Sequence, residues 1–288
     1  MKNYRNPLLE KPWFVILSLA CLVAAGLLIA SFMRAGDNLL LCSLPNTKSQ
    51  IVSDYSPTTI QLQAILHYAT SKVVPQQSLG EIRASFDVLK KVAPCNFLVF
   101  GLGHDSFMWA SFNPGGNTLF LEEDPKWVQT VLKNAPQLRA HTVNYQTQLR
   151  EADHLLKTYR SEPQCSPSTA VLRGNTGCRL ALNNLPDEVY DREWELIMID
   201  APRGYFAEAP GRMSAIYSAA VMARNRKGPG VTHVYLHDVD RKVEKAYAEE
   251  FLCRKYLVKA VGRLWHFEIP SAVNVNVSQA GQSGATFC

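Results

Sequence analysis

Of the 288 residues, 47% are hydrophobic and 19% charged, a globular balance that excludes a disordered or collagenous chain. At about 150 residues per domain the length allows one large domain or two small ones, and no internal repeat points to an array. The net charge of +5 comes from 30 Lys and Arg against 25 Asp and Glu scattered along the chain, not gathered in a basic stripe, so no nucleic-acid partner is expected.

The first predicted element is a membrane anchor. Residues 13–33 (WFVILSLACLVAAGLLIASFM) form a 21-residue stretch without formal charge. As a helix rising about 1.5 Å per residue it is long enough to cross a hydrocarbon layer of about 30 Å. Lys2, Arg5 and Lys11 precede it against Glu10 alone. Positive flanks stay cytoplasmic, so 1–12 is expected as a cytoplasmic tail and the body as luminal, a type II arrangement. A cleaved signal peptide is the competing expectation, although its apolar region usually runs only about 7 to 15 residues. Residues 34–57 are polar and turn-rich, a stem, and 58–91 carries two helical patterns.

From Cys95 the chain alternates short apolar runs with amphipathic stretches. Strands are predicted at 97–100, 118–121, 140–144, 196–199, 233–236, 256–261 and 264–269. Helices are predicted at 106–112, 125–134, 148–159, 213–226 and 242–253. Residues 161–187 look like an inserted loop, in which Cys165 pairing with Cys178 would close a short polar segment. Cys95 and Cys253 also fit reduced core residues. No zinc-ligand spacing appears, and the tail 271–288 carries one sequon, Asn276, usable as a glycosylation site if the body is luminal. Trp109, Trp194 and Trp265 sit in or beside apolar runs and are expected in the core. The economical fold is an α/β doubly wound sheet over 58–270.

Such sheets bind ligands beyond the C-terminal strand ends. After the first strand, Gly101, Leu102 and Gly103 form a G-x-G turn that lets a cofactor approach the backbone. Ser106 stands where a third glycine would complete a pyrophosphate-binding fingerprint, which argues against a dinucleotide. About twenty residues on, Glu122 closes the second strand and suits the two hydroxyls of a ribose, while Glu123 and Asp124 fit that role and a helix-capping one equally.

Asp200, His237 and Asp238 follow the fourth and fifth strands and offer the base that methyl transfer to a hydroxyl needs. The same trio fits a divalent metal, and spacing alone does not separate the two. Between them runs RGYFAEAPGRM, in which Arg203 and Arg212 suit a substrate carboxylate and Tyr205 and Phe206 a sugar face. Arg212 fits equally well as an ion-pair partner of Glu208 that orders the loop.

Three strings, FLVFGLGHDSFMWASFNPGGNTLFLEED, IMIDAPRGYFAEAPGRMSAIYSAAVMARNRK and THVYLHDVDRKVEKAYAEEFLCRKYLVKAVGRLWHFEIP, resemble the plant polysaccharide-biosynthesis family that includes the glucuronoxylan 4-O-methyltransferases. The resemblance covers about 56–270. It implies a class I methyltransferase-like (Rossmann-like) fold, S-adenosyl-L-methionine as cofactor, and transfer to O4 of glucuronic acid side groups on glucuronoxylan during secondary-wall synthesis. It further implies a Golgi type II membrane protein working beside other xylan-synthesis proteins. Gly101, Gly103, Glu122, Asp200, His237 and Asp238 all fall on the family's strand ends. Relatives in the same family methylate glucuronic acid in arabinogalactan or are irregular-xylem proteins implicated in xylan deposition. An arabinogalactan methyltransferase and a non-catalytic scaffold are therefore the alternatives.

Overall fold

The computed structural model describes residues 58–167, 170–271 and 287–288, within the compact unit Ser56–Cys288. The expected anchor at 13–33, the stem at 34–57 and Asn276 lie outside the described residues. Among the described residues no helix is long and apolar enough to cross a membrane.

Seven strands form one sheet in the order β3-β2-β1-β4-β5-β7-β6: β1 (Asn96–Phe100), β2 (Asn117–Glu122), β3 (Ala140–Thr142), β4 (Leu196–Ile199), β5 (Val231–Leu236), β6 (Leu257–Val261) and β7 (Leu264–Pro270). The first five are parallel, while β7 runs antiparallel to both β5 and β6, so the doubly wound sheet is mixed. The central strands are apolar without alternation, as β4 (LIMI, every residue buried) shows, because helices cover both faces. Leu98, Leu119, Ile197 and Val234 line up across the sheet on one face. Phe97, Phe120, Leu196, Met198 and Tyr235 face the other core with Trp109 and Leu89.

The helices are α1 (Thr59–Thr70), α2 (Leu79–Val92), α3 (Ser106–Ser111), α4 (Pro125–Asn134), α5 (Ala152–Thr158), α6 (Asp187–Tyr190), α7 (Met213–Asn225) and α8 (Lys242–Tyr247). Helix α7 is buried nearly all round, and its Ala215, Ala219, Ala220 and Ala223 let it lie close on the sheet. The helix expected over 242–253 changes to a π turn at Ala248–Leu252, and the one over 148–159 is α-helical only at its centre, flanked by 3-10 turns.

The segment 161–187 differs from a polar loop. Ala170, Leu172, Leu180, Ala181 and Leu182 are buried in the core around α7, so it is a wall of the domain with little regular structure. Cys165 and Cys178 are bridged across it. Cys253 departs from the reduced state that its apolar setting fits, because it is bridged to Cys288, and Cys95 remains a buried thiol. The chain moves outward from β1 to β3 and returns to β4 on the other side of β1. The crevice above the ends of β1 and β4 is therefore the switch point where a ligand fits.

Candidate functional site

Gly101 adopts φ +125°, and a Cβ there would lie 3.3 Å from that of Ala201, so glycine lets the ends of β1 and β4 meet. The turn is then tied to β2 by Glu122, whose Oε2 accepts the Leu102 N–H at 3.0 Å while Oε1 accepts those of Glu123 (2.9 Å) and Asp124 (3.1 Å). Burial raises the Glu122 carboxyl above its ordinary value against the pull of those N–H groups. Asp124 caps α4, accepting from Lys126 N at 2.9 Å and Trp127 N at 3.3 Å, and Glu123 pairs with Arg203. Of the three acids, Glu122 and not its neighbours faces the ligand space.

That space is a cavity of about 330 Å³ walled by Gly101, Leu102 and Gly103, by Glu122, Asp105 and Asp200, and by Trp127, Met198, Val73 and Val74. Three carboxylates line it and, among the described residues, no lysine or arginine does. Sequence reasoning missed Asp105, although its place in the turn after β1 is a strand-end signal of the kind used for the others. Its Oδ2 accepts the Trp109 Nε1–H at 2.8 Å, and burial, with the charge of Asp200, raises its carboxyl.

Asp200 joins the cavity to a buried polar knot. Its Oδ1 accepts from His237 Nδ1 (2.9 Å) and Arg212 Nη2 (3.2 Å), and its Oδ2 accepts from Gln77 Nε2 (3.0 Å). Burial alone would raise Asp200, but the His237 hydrogen bond and the Arg212 charge outweigh it and hold the group below the ordinary carboxylate range. Because a carboxylate only accepts, the proton of this pair sits on Nδ1. His237 is 1% exposed and does not line the cavity; its Nε2 has no hydrogen-bond partner among the described residues, with Glu81 Oε1 3.7 Å away. Its Nδ1–H is held on Asp200, behind the cavity wall.

Two further expectations are corrected. Arg212 is 4% exposed and spends its donors on the main-chain oxygens of His237 (2.7 Å) and Asp200 (2.6 Å) and on Asp238 Oδ2 (2.8 Å). It meets neither a substrate carboxylate nor Glu208, because its guanidinium is the counter-charge of the knot. Asp238, at φ +60°, is enclosed by Arg212, Arg241 (3.0 Å) and Arg263 (2.7 Å), which leaves it a charge hub and no base. Arg203 and Tyr205 stay at the surface, Tyr205 edge-on to Phe206 at 5.2 Å. Gln77, Glu81, Arg241 and Arg263 reach the knot from elements with no motif of their own.

One ligand atom each from Asp200, His237 and Asp238 falls within 4.8 Å of the others, as a divalent ion would require. Guanidinium groups already neutralise both carboxylates, Arg212 on Asp200 Oδ1 and Asp238 Oδ2 and Arg263 on Asp238 Oδ1. The trio does not fit a metal. The acid-lined cavity does fit S-adenosylmethionine, a cation, with the 101–103 backbone and Glu122 as its holders.

The profile of the family described as IRX15/IRX15L/GXM matches residues 80–267. Arabinogalactan O-methyltransferase 2 of Arabidopsis thaliana is 60% identical, covering 100% of this chain and 98% of its own. Arabinogalactan O-methyltransferase 1 of the same plant is 65% identical over 91% of this chain and 93% of its own. Glucuronoxylan 4-O-methyltransferase 1, also from Arabidopsis thaliana, is 49% identical over 78% of each chain.

Proposed function

The chain belongs to the IRX15/IRX15L/GXM family, and on that footing we propose that it is an S-adenosylmethionine-dependent O-methyltransferase acting on glucuronic acid side groups of arabinogalactan. The observation that carries methyl transfer is the cavity at the β1–β4 switch point, walled by Glu122, Asp105 and Asp200 and, among the described residues, by no lysine or arginine. The acceptor rests on similarity: 60% and 65% identity to the arabinogalactan enzymes against 49% to a glucuronoxylan enzyme. Glucuronoxylan, the acceptor expected from the sequence strings, becomes the second reading.

When bound, S-adenosylmethionine supplies the electrophilic methyl group. The backbone of 101–103 and the Glu122 carboxylate would hold its nucleoside end. Asp200, ionised and aimed by His237 Nδ1–H, takes the proton of the acceptor hydroxyl at the cavity wall. Arg203, Tyr205 and Phe206 sit on the exposed loop between β4 and α7, where a uronate and its ring face would lie. The two disulfides suit an oxidising compartment, which supports a Golgi location with 13–33 as anchor and Asn276 luminal.

The test uses the full chain in detergent with methyl-labelled S-adenosylmethionine and, separately, glucuronic-acid-bearing arabinogalactan and glucuronoxylan. Label on arabinogalactan glucuronic acid is the expected result. Label on xylan alone restores the second reading. Folded protein that labels neither acceptor overturns both and leaves a non-catalytic scaffold.

A further inference from the structure

We propose that His233, His266 and Glu268 form a zinc-binding site on the β5–β7 ribbon, separate from the methyl-transfer cavity. Antiparallel register sets His233 opposite Glu268 and Tyr235 opposite His266, so all three side chains fall on one face of two paired strands. Nδ1 of His233 lies 3.0 Å from Nε2 of His266 and 3.7 Å from Oε1 of Glu268, and one ligand atom from each residue falls within 4.8 Å of the others. Two donors about 2.0–2.1 Å from a tetrahedral zinc ion are about 3.3 Å apart, a distance these two separations bracket. The two pairs that include His233 need only a few tenths of an ångström of adjustment, and the His266–Glu268 pair, within 4.8 Å, closes on the ion by turning the half-exposed Glu268 side chain.

The surroundings favour an ion over a plain hydrogen bond. Tyr235 stacks on His266 at 4.3 Å and 13° and fixes that imidazole plane. The Glu268 carboxylate accepts no hydrogen bond from any described residue, and its sole ion-pair partner among them is His233. His266 is buried, the His233 side chain is 14% exposed and that of Glu268 41% exposed, so two ligands are anchored and the third opens to solvent. Two imidazoles and a carboxylate are a zinc donor set, and solvent at the Glu268 side supplies a fourth ligand. Lys91, Lys259 and Arg226 are near enough to be felt by the imidazoles, but none pairs with Glu268. His233 lies four residues before His237, about 13 Å along an extended strand, so the ion would not touch the knot at Asp200.

The test is equilibrium dialysis of the chelator-stripped full chain in detergent against zinc chloride, with metal counted by mass spectrometry. The expected result is one zinc per chain, with affinity weakened at least tenfold in Glu268→Gln and binding lost in His233→Gln, while Asp200→Asn still binds one zinc. Neither His233 nor Glu268 belongs to the methyl-transfer site, so both variants should retain methyl transfer, and a circular dichroism spectrum matching the parent checks that the more enclosed His233→Gln is folded. Zinc absent from the parent chain, or zinc lost in Asp200→Asn and kept in His233→Gln and Glu268→Gln, overturns the proposal. Failure of methyl transfer on either acceptor would leave this test untouched.

Discussion

Among the described residues Arg212 is the one guanidinium that pairs with both Asp200 and Asp238, so replacing it by Ala leaves two carboxylates without a shared counter-charge. Breaking such a pair costs about 3–5 kcal/mol, so Arg212→Ala should unfold in urea at a much lower midpoint. A surface substrate arginine would instead raise KM and leave the midpoint alone. Asp200→Asn keeps the size and the Gln77 neighbour but cannot take a proton. Its kcat should fall by about 10²–10⁴, measured at saturating acceptor, with the fold retained by circular dichroism.

The pH dependence follows from the same residue. Asp200 is held below its unfolded value of about 3.9, so the unfolded chain takes up the proton first. The stabilisation is whole above the unfolded value and is lost as pH falls through the folded one. Urea midpoints taken from about pH 6 down to about pH 2 should therefore drop for the parent chain and drop less for Asp200→Asn. The sequence marks Asp200 by its place after an apolar run. It does not mark Gln77, 123 positions away, or Arg263, and it marks Arg212 for a substrate and not for Asp238, because no local pattern encodes a partner brought in by the sheet.

At the scale of elements, Asp124 tests the division of labour among the three acids that close β2. Asp124→Ala should cost about 1 kcal/mol through the lost N-cap of α4 and leave the S-adenosylmethionine KM unchanged, as a thermal melt and a kinetic titration would show. Strand and helix periodicity carries most of this level: β4 and α4 fall on the predicted spans. It fails where tertiary packing replaces periodicity. The wall at 161–187 buries leucines without repeating them at a helical or strand spacing, and the end of α8 widens to a π turn where Phe251 packs against Tyr217 and Tyr247. Cys253 is as apolar in setting as Cys95, so only the arrival of Cys288 beside it distinguishes a bridge from a thiol.

The whole molecule sets two fields against each other: of the net +5, residues 1–12 hold +2 (Lys2, Arg5 and Lys11 against Glu10) and the rest +3, yet the cavity wall is acidic. A polymer bearing glucuronate side groups is drawn by the first and a small cation by the second. Raising salt from about 0.05 to about 0.5 M should therefore raise the KM for a polymeric acceptor several-fold and change that for S-adenosylmethionine less, because the cavity is partly shielded from counter-ions. Equal sensitivity of both constants would refute this division. The acidic wall also bears on turnover. Giving up a methyl group turns a sulfonium into a neutral thioether, and a pocket shaped for both but charged for one should let the spent molecule go sooner, so product inhibition should be weak and should strengthen when Asp105 is made neutral.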